Sequence, residues 1–234
     1  MITNILNPID FRYERKFLIS QLSRYEVEAI VKFHPSAFSE VYYRRFVNNI
    51  YFDTVGMAAY QDKLIGISDR LKVRIRWYGE LFGLIKEPVL ELKIKRGSLA
   101  GKLRFPLASF HLDRGYSLRL QQDIFAKSDI PEMLIDYLKT LKFTLLNRYH
   151  RKYFQSTDHK FRITIDFDME SYRIDPVANC FVEKSTDHAD TILELKYSDK
   201  DDEEARFITD LFPMRMTRSS KYVTGIERLQ PFIF

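Results

Sequence analysis

The chain has 234 residues, of which 45% are hydrophobic and 29% are charged, with 8 Gly and 8 Pro. This composition is typical of a globular protein and argues against disorder or a coiled coil. The formal net charge of +5 permits an anionic partner without identifying one, because 32 acids offset 37 bases.

Strict alternation of apolar and polar residues predicts strands, because successive side chains of a strand point to opposite faces. Between the strands, apolar residues at helical spacing and capping residues predict helices. In chain order the predicted elements are strand Arg12–Leu18, a helix from Ser20 or Ser23 to Phe33, strands Ile50–Thr54, Val73–Tyr78 and Val89–Lys95, helices Asp113–Phe125 and Pro131–Leu141, strands Arg162–Asp168 and Ile192–Tyr197, and helix Asp201–Phe212. The pattern indicates an antiparallel barrel or a large sheet that is decorated by helices.

Cys180 is the single cysteine, which excludes an intrachain disulfide and a cysteine-based metal cluster. The chain has neither an N-terminal signal peptide nor the about 18 to 20 consecutive apolar residues that a membrane helix needs. We therefore expect a single domain, residues 1–234, in a reducing, cytoplasmic compartment.

The polar faces of the predicted strands carry full charges, with few of the Ser, Thr and Gln residues that solvated strands usually mix in. The charged residues that share a face are Glu14 with Lys16, Arg74 with Arg76, Glu91 with Lys93 and Lys95, Arg162 with Asp166 and Asp168, and Glu194 with Lys196. A solvated sheet face would explain any one of these strands. Their recurrence, with apolar opposite faces that can pack on helices, predicts a barrel with charges inside and helices outside.

Charges that point into a barrel are costly unless water, ions or a ligand compensate them. Lys and Arg in a confined channel suit a ligand with several phosphates, and the carboxylates suit a hard divalent cation that bridges phosphate oxygens. The sequence has no GxxxxGK[ST] or GxGxxG phosphate loop, and its histidines lack zinc-like spacing. It also lacks a recognised nucleic-acid-binding module, so a nucleic-acid partner is not expected.

Eight short motifs occur in the order found in the polyphosphate polymerase domain of the VTC (vacuolar transporter chaperone) family, which the chain resembles from about Asp10 to Arg228. These motifs are Tyr13–Phe17, Tyr51–Thr54, Val73–Gly79, Leu90–Lys93, Arg148–Arg151, Arg162–Asp166, Ile192–Lys196 and Ser219–Tyr222. The VTC domain is itself part of the wider triphosphate tunnel metalloenzyme, or CYTH-like, group. The resemblance implies an α+β fold: a closed, eight-stranded antiparallel tunnel with a charged interior and helices outside.

The resemblance also implies an activity and a site. Family polymerases transfer the terminal phosphate of ATP to a growing polyphosphate chain with Mn²⁺ or Mg²⁺. By matching motif positions, the resemblance implies that the phosphate-binding residues are Lys16, Arg74, Arg76, Lys93, Arg151, Arg162 and Lys221, with Arg218 near them. Arg74, Arg76, Lys93, Arg151 and Arg162 are the expected catalytic residues among these. Glu194 and Glu14 are the expected metal ligands, while strand alternation adds Lys95 and Lys196 as phosphate-binding residues and Asp166 and Asp168 as further carboxylates on the charged face.

Two other functions stay open at this point. A triphosphatase that cleaves inorganic or organic triphosphate would use the same cage of charges, and a catalytically silent module would bind polyphosphate without turnover. The sequence also has no SPX sensor and none of the membrane helices of eukaryotic VTC subunits. A membrane partner, if the domain acts at the inner face of a membrane, is therefore expected to be a separate protein.

Overall fold

The computed structural model describes residues 10–113, 115–175 and 180–229. Its strands are β1 (Arg12–Ile19), β2 (Ser39–Asp53), β3 (Arg70–Tyr78), β4 (Gly83–Ile85), β5 (Val89–Arg96), β6 (Leu99–Pro106), β7 (Phe110–Leu112), β8 (Lys142–Gln155), β9 (Arg162–Ile174), β10 (Phe181–Asp187) and β11 (Thr191–Tyr197). Its α-helices are α1 (Arg24–Lys32), α2 (Ala58–Leu64), α3 (Leu118–Ala126), α4 (Glu132–Lys139), α5 (Asp202–Asp210) and α6 (Lys221–Leu229).

Eight of the strands close into a barrel. Their order is β9-β11-β1-β6-β5-β3-β2-β8, and β8 pairs back with β9, so that the ring has no open edge. All of these pairings are antiparallel. The strand β10 extends the sheet along the second half of β9, while β4 and β7 form a separate two-stranded sheet. The prediction of a closed, eight-stranded antiparallel tunnel is confirmed.

The register of the barrel places apolar residues outside and charges inside. In β3, Arg74 lies opposite Glu91 of β5, whereas Val73 lies opposite Leu92. The outward residues of β3 and β5, such as Trp77, pack in one buried cluster with residues of α3 and α4. A second buried cluster joins the outward faces of β1, β9 and β11 to α1 and α5. The hydrophobic core therefore surrounds the barrel and leaves its interior to polar groups.

The helices begin where local capping chemistry favours them. Ser23 and Glu26 form a reciprocal capping box at the start of α1, and Ser117 accepts a hydrogen bond from Leu120 N at the start of α3. Three acidic residues in the first turn of α5 stabilise this helix, because they interact favourably with the positive end of its dipole. The four predicted helices are present as α1, α3, α4 and α5, and each is shorter than predicted. The helices α2 and α6 were not predicted. No helix in the described residues is long and apolar enough to cross a membrane.

The last helix, α6, packs against side chains that point into the barrel. Tyr222, Val223 and Ile226 share a buried cluster with Tyr51 and Leu145, which lie opposite each other on β2 and β8. At Gly225 the approach is so close that a Cβ atom would lie 2.6 Å from Leu145 Cδ2. The glycine therefore allows α6 to lie against the inner wall, with Lys221 at its inner end.

Asp53, the last residue of β2, joins this strand to both α2 and α6. Its buried carboxylate accepts hydrogen bonds from the backbone N–H groups of Ala59 at 2.9 Å and Tyr60 at 3.1 Å, in the first turn of α2. It also accepts the hydroxyl of Tyr222 at 2.7 Å, and burial together with Asp53 raises the pKa of that tyrosine. Asp53 thus fixes the positions of two helices that rim the tunnel.

We expect Asp53→Ala to lower the free energy of unfolding by about 3 kcal/mol, because several charge-assisted hydrogen bonds are lost at a buried site. The melting temperature should fall by about 6–12 °C, as measured by circular dichroism. Asp136→Ala on α4 is the control, since that carboxylate pairs at the surface and is 65% exposed. Equal melting temperatures for the two variants would contradict this role of Asp53.

Candidate functional site

The inward face of the barrel carries many more bases than acids. The inward carboxylates are Glu14, Glu91, Asp166 and Glu194. The inward bases include Lys16, Arg70, Lys72, Arg74, Arg76, Lys93, Lys95, Lys102, Arg104, Arg151, Arg162 and Lys196, and Lys221 joins them from α6. We call this set the tunnel charges. Because a barrel of eight strands has an interior just wide enough for side chains, these groups are held close together.

Asp166 organises one part of the tunnel charges. Its side chain is fully buried and receives a bidentate pair from Arg151, with Nη2 at 2.6 Å from Oδ2. The ammonium group of Lys221 lies 2.6 Å from the same carboxylate. Burial alone would raise the pKa of Asp166, but Arg151 and Lys221 lower it, so the group is ionised. An arginine from β8 and a lysine from α6 are thereby fixed at one point of the inner wall.

Glu194 lies beside this pair and contacts further bases. Its carboxylate is 2.8 Å from Lys16 Nζ and 3.1 Å from Lys196 Nζ, and it lies within 4 Å of Lys221 and Arg151. Burial would raise its pKa, yet Lys16, Lys196 and Lys221 hold the pKa well below its usual range. The pKa of Lys16 is raised, because Glu194 and Glu14 outweigh the cost of burial. Both partners are therefore charged.

Glu14 occupies the neighbouring position on β1. It accepts from Lys93 Nζ at 2.7 Å, and Lys16 lies 3.8 Å away. Burial would raise its pKa, but these lysines lower it, while Glu194 opposes the ionised form. In the β1–β11 register Glu14 faces Lys196 and Lys16 faces Glu194, which makes the two glutamates diagonal neighbours.

On the other side of the tunnel Glu91 is the counter-ion of four bases. Its side chain, 3% exposed, lies 2.6 Å from Arg74 Nη2 and 3.4 Å from Arg76 Nη1. Lys102 and Arg104 approach its other oxygen at 3.5 and 3.2 Å. Burial would raise the pKa of Glu91, but Arg74 and Arg76 lower it far below its ordinary value. Burial lowers the pKa of Lys102 to about 7 despite the glutamate.

A further group of bases lies near one end of β3 without carboxylate partners. Lys72 donates a hydrogen bond to Ser220 Oγ at 2.8 Å, and burial together with Lys16 and Lys93 puts its pKa well below normal. Among the described residues Lys63, Lys95 and Arg218 form no ion pair, and the pKa of Lys63 is lowered by burial and by the charges of Arg70 and Lys95. Lys63, Arg70, Lys95 and Arg218 are called the basic rim below.

Most of the residues predicted from the sequence do come together. One group inside the barrel is linked by ion pairs and consists of Glu14, Lys16, Lys93, Arg151, Asp166, Glu194, Lys196 and Lys221. Arg74 and Arg76 form a second group, in which both pair with Glu91. Lys95 and Arg218 belong to the basic rim. Arg162 is exposed at the start of β9, and it forms no ion pair with the residues that the structure describes.

Asp168 is placed outside the barrel, contrary to the strand alternation. It pairs with Arg24 of α1 and with His188, each at 3.0 Å. The cause is a β-bulge: the β8–β9 register shifts between Arg148 and His150, and Asp168 has a φ of 51°. One extra residue reverses the direction of every side chain beyond it.

Several tunnel charges were missed by the sequence reasoning. Arg70 and Lys72 continue the alternation of Arg74 and Arg76 toward the start of β3, and Lys102 and Arg104 alternate with apolar residues in β6. A search for period-two charge over the whole of each strand would have found all four. Glu91 was assigned to the charged face, but its central role depends on cross-strand neighbours that one strand does not reveal.

The donor set limits how a metal could be held. No group of three or more His, Cys, Asp or Glu side chains suited to a metal exists among the described residues. Glu14 and Glu194 offer two ionised carboxylates on adjacent strands. Such a pair fits Mg²⁺ or Mn²⁺, since Mg²⁺ is usually bound through one or two carboxylates together with waters and substrate phosphates.

We expect Glu91→Gln to lower the melting temperature of the ligand-free protein by about 6–12 °C, because four bases lose a buried counter-ion. Added inorganic triphosphate should then raise the melting temperature more in the variant than in the wild type, because the anion replaces the missing charge. Differential scanning fluorimetry in metal-free buffer measures both effects, with Glu132→Gln on the exposed start of α4 as control. A smaller triphosphate shift in Glu91→Gln would show that this side of the tunnel does not receive the anion.

Comparisons with known proteins identify the family of the chain. No curated protein sequence matches the chain. Similar solved structures include a protein from Pyrococcus horikoshii (13% identity, 93% of this chain and 98% of that chain, TM-score 0.48). A second is a candidate adenylate cyclase from Vibrio parahaemolyticus (11% identity, 86% of this chain and 84% of that chain, TM-score 0.45). A third is a candidate adenylyl cyclase from Hippeastrum with a dominant triphosphatase activity (14% identity, 94% of this chain and 95% of that chain, TM-score 0.46). The family model of the VTC domain matches residues 11–230, and the chain therefore belongs to the VTC domain family.

Proposed function

We propose that the chain is a polyphosphate polymerase, which transfers the terminal phosphate of ATP to a polyphosphate chain inside the tunnel. Membership of the VTC domain family and the basic tunnel support an enzyme of the phosphoryl-transfer type. The observation that carries the proposal is the excess of inward bases, some of them, such as Lys72, without any carboxylate partner among the described residues. A ligand with several linked phosphates is the anion that matches such an excess along a tunnel.

Phosphate would bind to arginines that keep their carboxylate partners. Arg74 and Arg76 are held by Glu91, and Arg151 by Asp166, in buried pairs with fixed side chains. Phosphate oxygens that enter between these pairs accept the N–H groups that the carboxylates do not use, because a guanidinium has five donors. The lysines with lowered pKa regain full charge when the anion arrives.

Catalysis needs no protein nucleophile in this arrangement. Arg74, Arg76 and Arg151 would hold the phosphates of the donor and neutralise the charge that develops on the transferred group. Lys16, Lys93 and Lys221 would hold the neighbouring phosphates of the acceptor in line with it. Glu14 and Glu194 would hold Mn²⁺ or Mg²⁺, which when bound supplies charge neutralisation and orientation of the phosphate oxygens.

One feature of the structure favours the triphosphatase instead. The helix α6 lies against Tyr51 and Leu145 on the inner wall, and this reduces the space for a long product chain. Water would then be the acceptor, and the same bases would serve. The silent polyphosphate-binding module has less support, because a module that only binds phosphate has no need of the two ionised carboxylates of Glu14 and Glu194.

The protein incubated with ATP and Mn²⁺ should make phosphate chains that gel electrophoresis resolves, with little free phosphate. We expect Glu194→Gln to reduce the rate at least about 100-fold while ATP still binds, because the amide lacks the charge that a hard cation prefers. Glu203→Gln at the exposed start of α5 is the matched control. Free phosphate without chains would identify a triphosphatase, and binding without either product would identify a silent module.

The lowered lysine pKa values predict that phosphate binding takes up protons. Burial lowers the pKa of Lys93 to about 8 and that of Lys102 to about 7, although Glu14 and Glu91 oppose the change. A bound anion raises both values, so the affinity for inorganic triphosphate should fall as the pH rises from 7 to 9. Calorimetric titrations at pH 8, in buffers of different ionisation enthalpy, should give a net proton uptake. Proton release, or an affinity that rises with pH, would contradict this assignment.

A further inference from the structure

Three tyrosines and an arginine form a cluster near the end of β3. The guanidinium carbon of Arg45 lies 5.1 Å from the ring centre of Tyr42, 4.6 Å from that of Tyr78 and 4.7 Å from that of Tyr153. These distances are those of cation–π contacts, which fix the rings around the charge. We call Tyr42, Arg45, Tyr78 and Tyr153 the tyrosine mouth.

The tyrosine mouth and the basic rim lie at opposite ends of one strand. Arg70 begins β3 and Tyr78 ends it, on the same face, so the two are roughly 26 Å apart at about 3.3 Å per residue. Between them the inward positions are Lys72, Arg74 and Arg76. Arg76 and Arg74 thus follow Tyr78 at about 7 and 13 Å into the tunnel.

A second strand pair connects the tyrosine mouth to the phosphate-binding residues. Arg45 lies directly opposite Arg151, and Tyr42 lies opposite Tyr153. Arg151 is also 5.9 Å from the ring centre of Tyr153. The mouth therefore lies next to Arg76 and Arg151, two of the residues that are proposed to hold phosphates.

Two buried polar atoms of the mouth have no hydrogen-bond partner within the described chain. Arg45 forms no ion pair with any residue that the structure describes, and its buried Nε has no hydrogen-bond partner. The buried hydroxyl of Tyr153 also has none. Tyr42 is 60% exposed and Tyr78 47% exposed, so their rings are accessible from outside. A flat ligand with hydrogen-bonding atoms at its edge matches both features.

We propose that the tyrosine mouth binds the base of a nucleoside triphosphate, by stacking on Tyr78 and Tyr42 with Arg45 facing the edge of the base. This assignment rests on the proposed function, because it places the phosphates of the nucleotide on Arg76, Arg74 and Arg151. Inorganic triphosphate needs no aromatic surface, whereas stacking on aromatic side chains is a general way to bind a base. The mouth therefore distinguishes a nucleotide from an inorganic polyphosphate.

The test compares ATP with inorganic triphosphate by isothermal titration calorimetry in metal-free buffer, where turnover is prevented. Tyr78→Leu should weaken ATP binding about tenfold and leave triphosphate binding unchanged, because a stacking contact is lost. Tyr78→Phe should retain the affinity for ATP. Tyr25→Leu on α1 is the control, since this tyrosine is 66% exposed and contacts Arg24 outside the barrel.

A fluorescent nucleotide provides a direct measure of stacking. The triphosphate of 2-aminopurine riboside should lose fluorescence on binding to the wild type and to Tyr78→Phe, and much less on binding to Tyr78→Leu. If Tyr78→Leu and Tyr42→Leu both bind ATP and triphosphate with the wild-type ratio of affinities, the tyrosine mouth is not a base site. That result leaves the proposed function intact, whereas failure of the wild type to bind triphosphate would overturn the proposed function itself.

Discussion

The interior of this protein depends on four inward carboxylates that hold a larger number of bases in place. Without them, the inward lysines and arginines would repel one another in a confined space of low polarity. Each carboxylate contacts two or more bases, and Glu91 alone contacts four. The carboxylates compensate only part of the positive charge of the inward bases. They are enough to keep the barrel folded and too few to make its interior neutral.

The remaining imbalance appears in the lysine pKa values. Lys16, between two glutamates, has a raised pKa, whereas burial and neighbouring bases lower those of Lys72 and Lys93. The same side-chain chemistry therefore gives permanent charges at some positions and titratable ones at others. The permanent charges keep the network ordered, and the titratable ones can respond to an incoming anion.

Strand alternation predicted much of this arrangement, because β3, β5 and β11 each have one charged and one apolar face. It succeeded for β3 and β5, where Arg74 and Glu91 face each other as neighbours in the ring. It failed at Asp168, because a bulge depends on the partner strand and leaves no mark in a simple period. Alternation could not predict α6 either, because the position of this helix depends on its close contact with Leu145 at Gly225. The closure of the strands into an eight-stranded tunnel was predicted from the family resemblance, whereas their order around the barrel is known only from the structure.

The tyrosine mouth could not be predicted from strand alternation either, for a different reason. Tyr42 and Arg45 lie in a part of β2 with two register shifts, where the sequence has neither alternation nor a known motif. Their contacts with Tyr78 and Tyr153 arise only when β2 is paired on both sides, with β3 and with β8. Aromatic residues at a strand end would ordinarily be assigned to the sheet surface.

The distribution of charge over the whole molecule follows from the same constraint. The inward bases exceed the inward carboxylates by more than the net charge of +5, so the positive charge of the protein is concentrated on the inner face of the barrel. A modest net charge thus conceals a strongly positive interior. An anion is attracted most strongly to the tunnel, where low-dielectric walls focus the field. This arrangement favours a ligand that is thin enough to enter, and a chain of phosphates meets that condition, whereas a broad polyanion could not reach the inward bases.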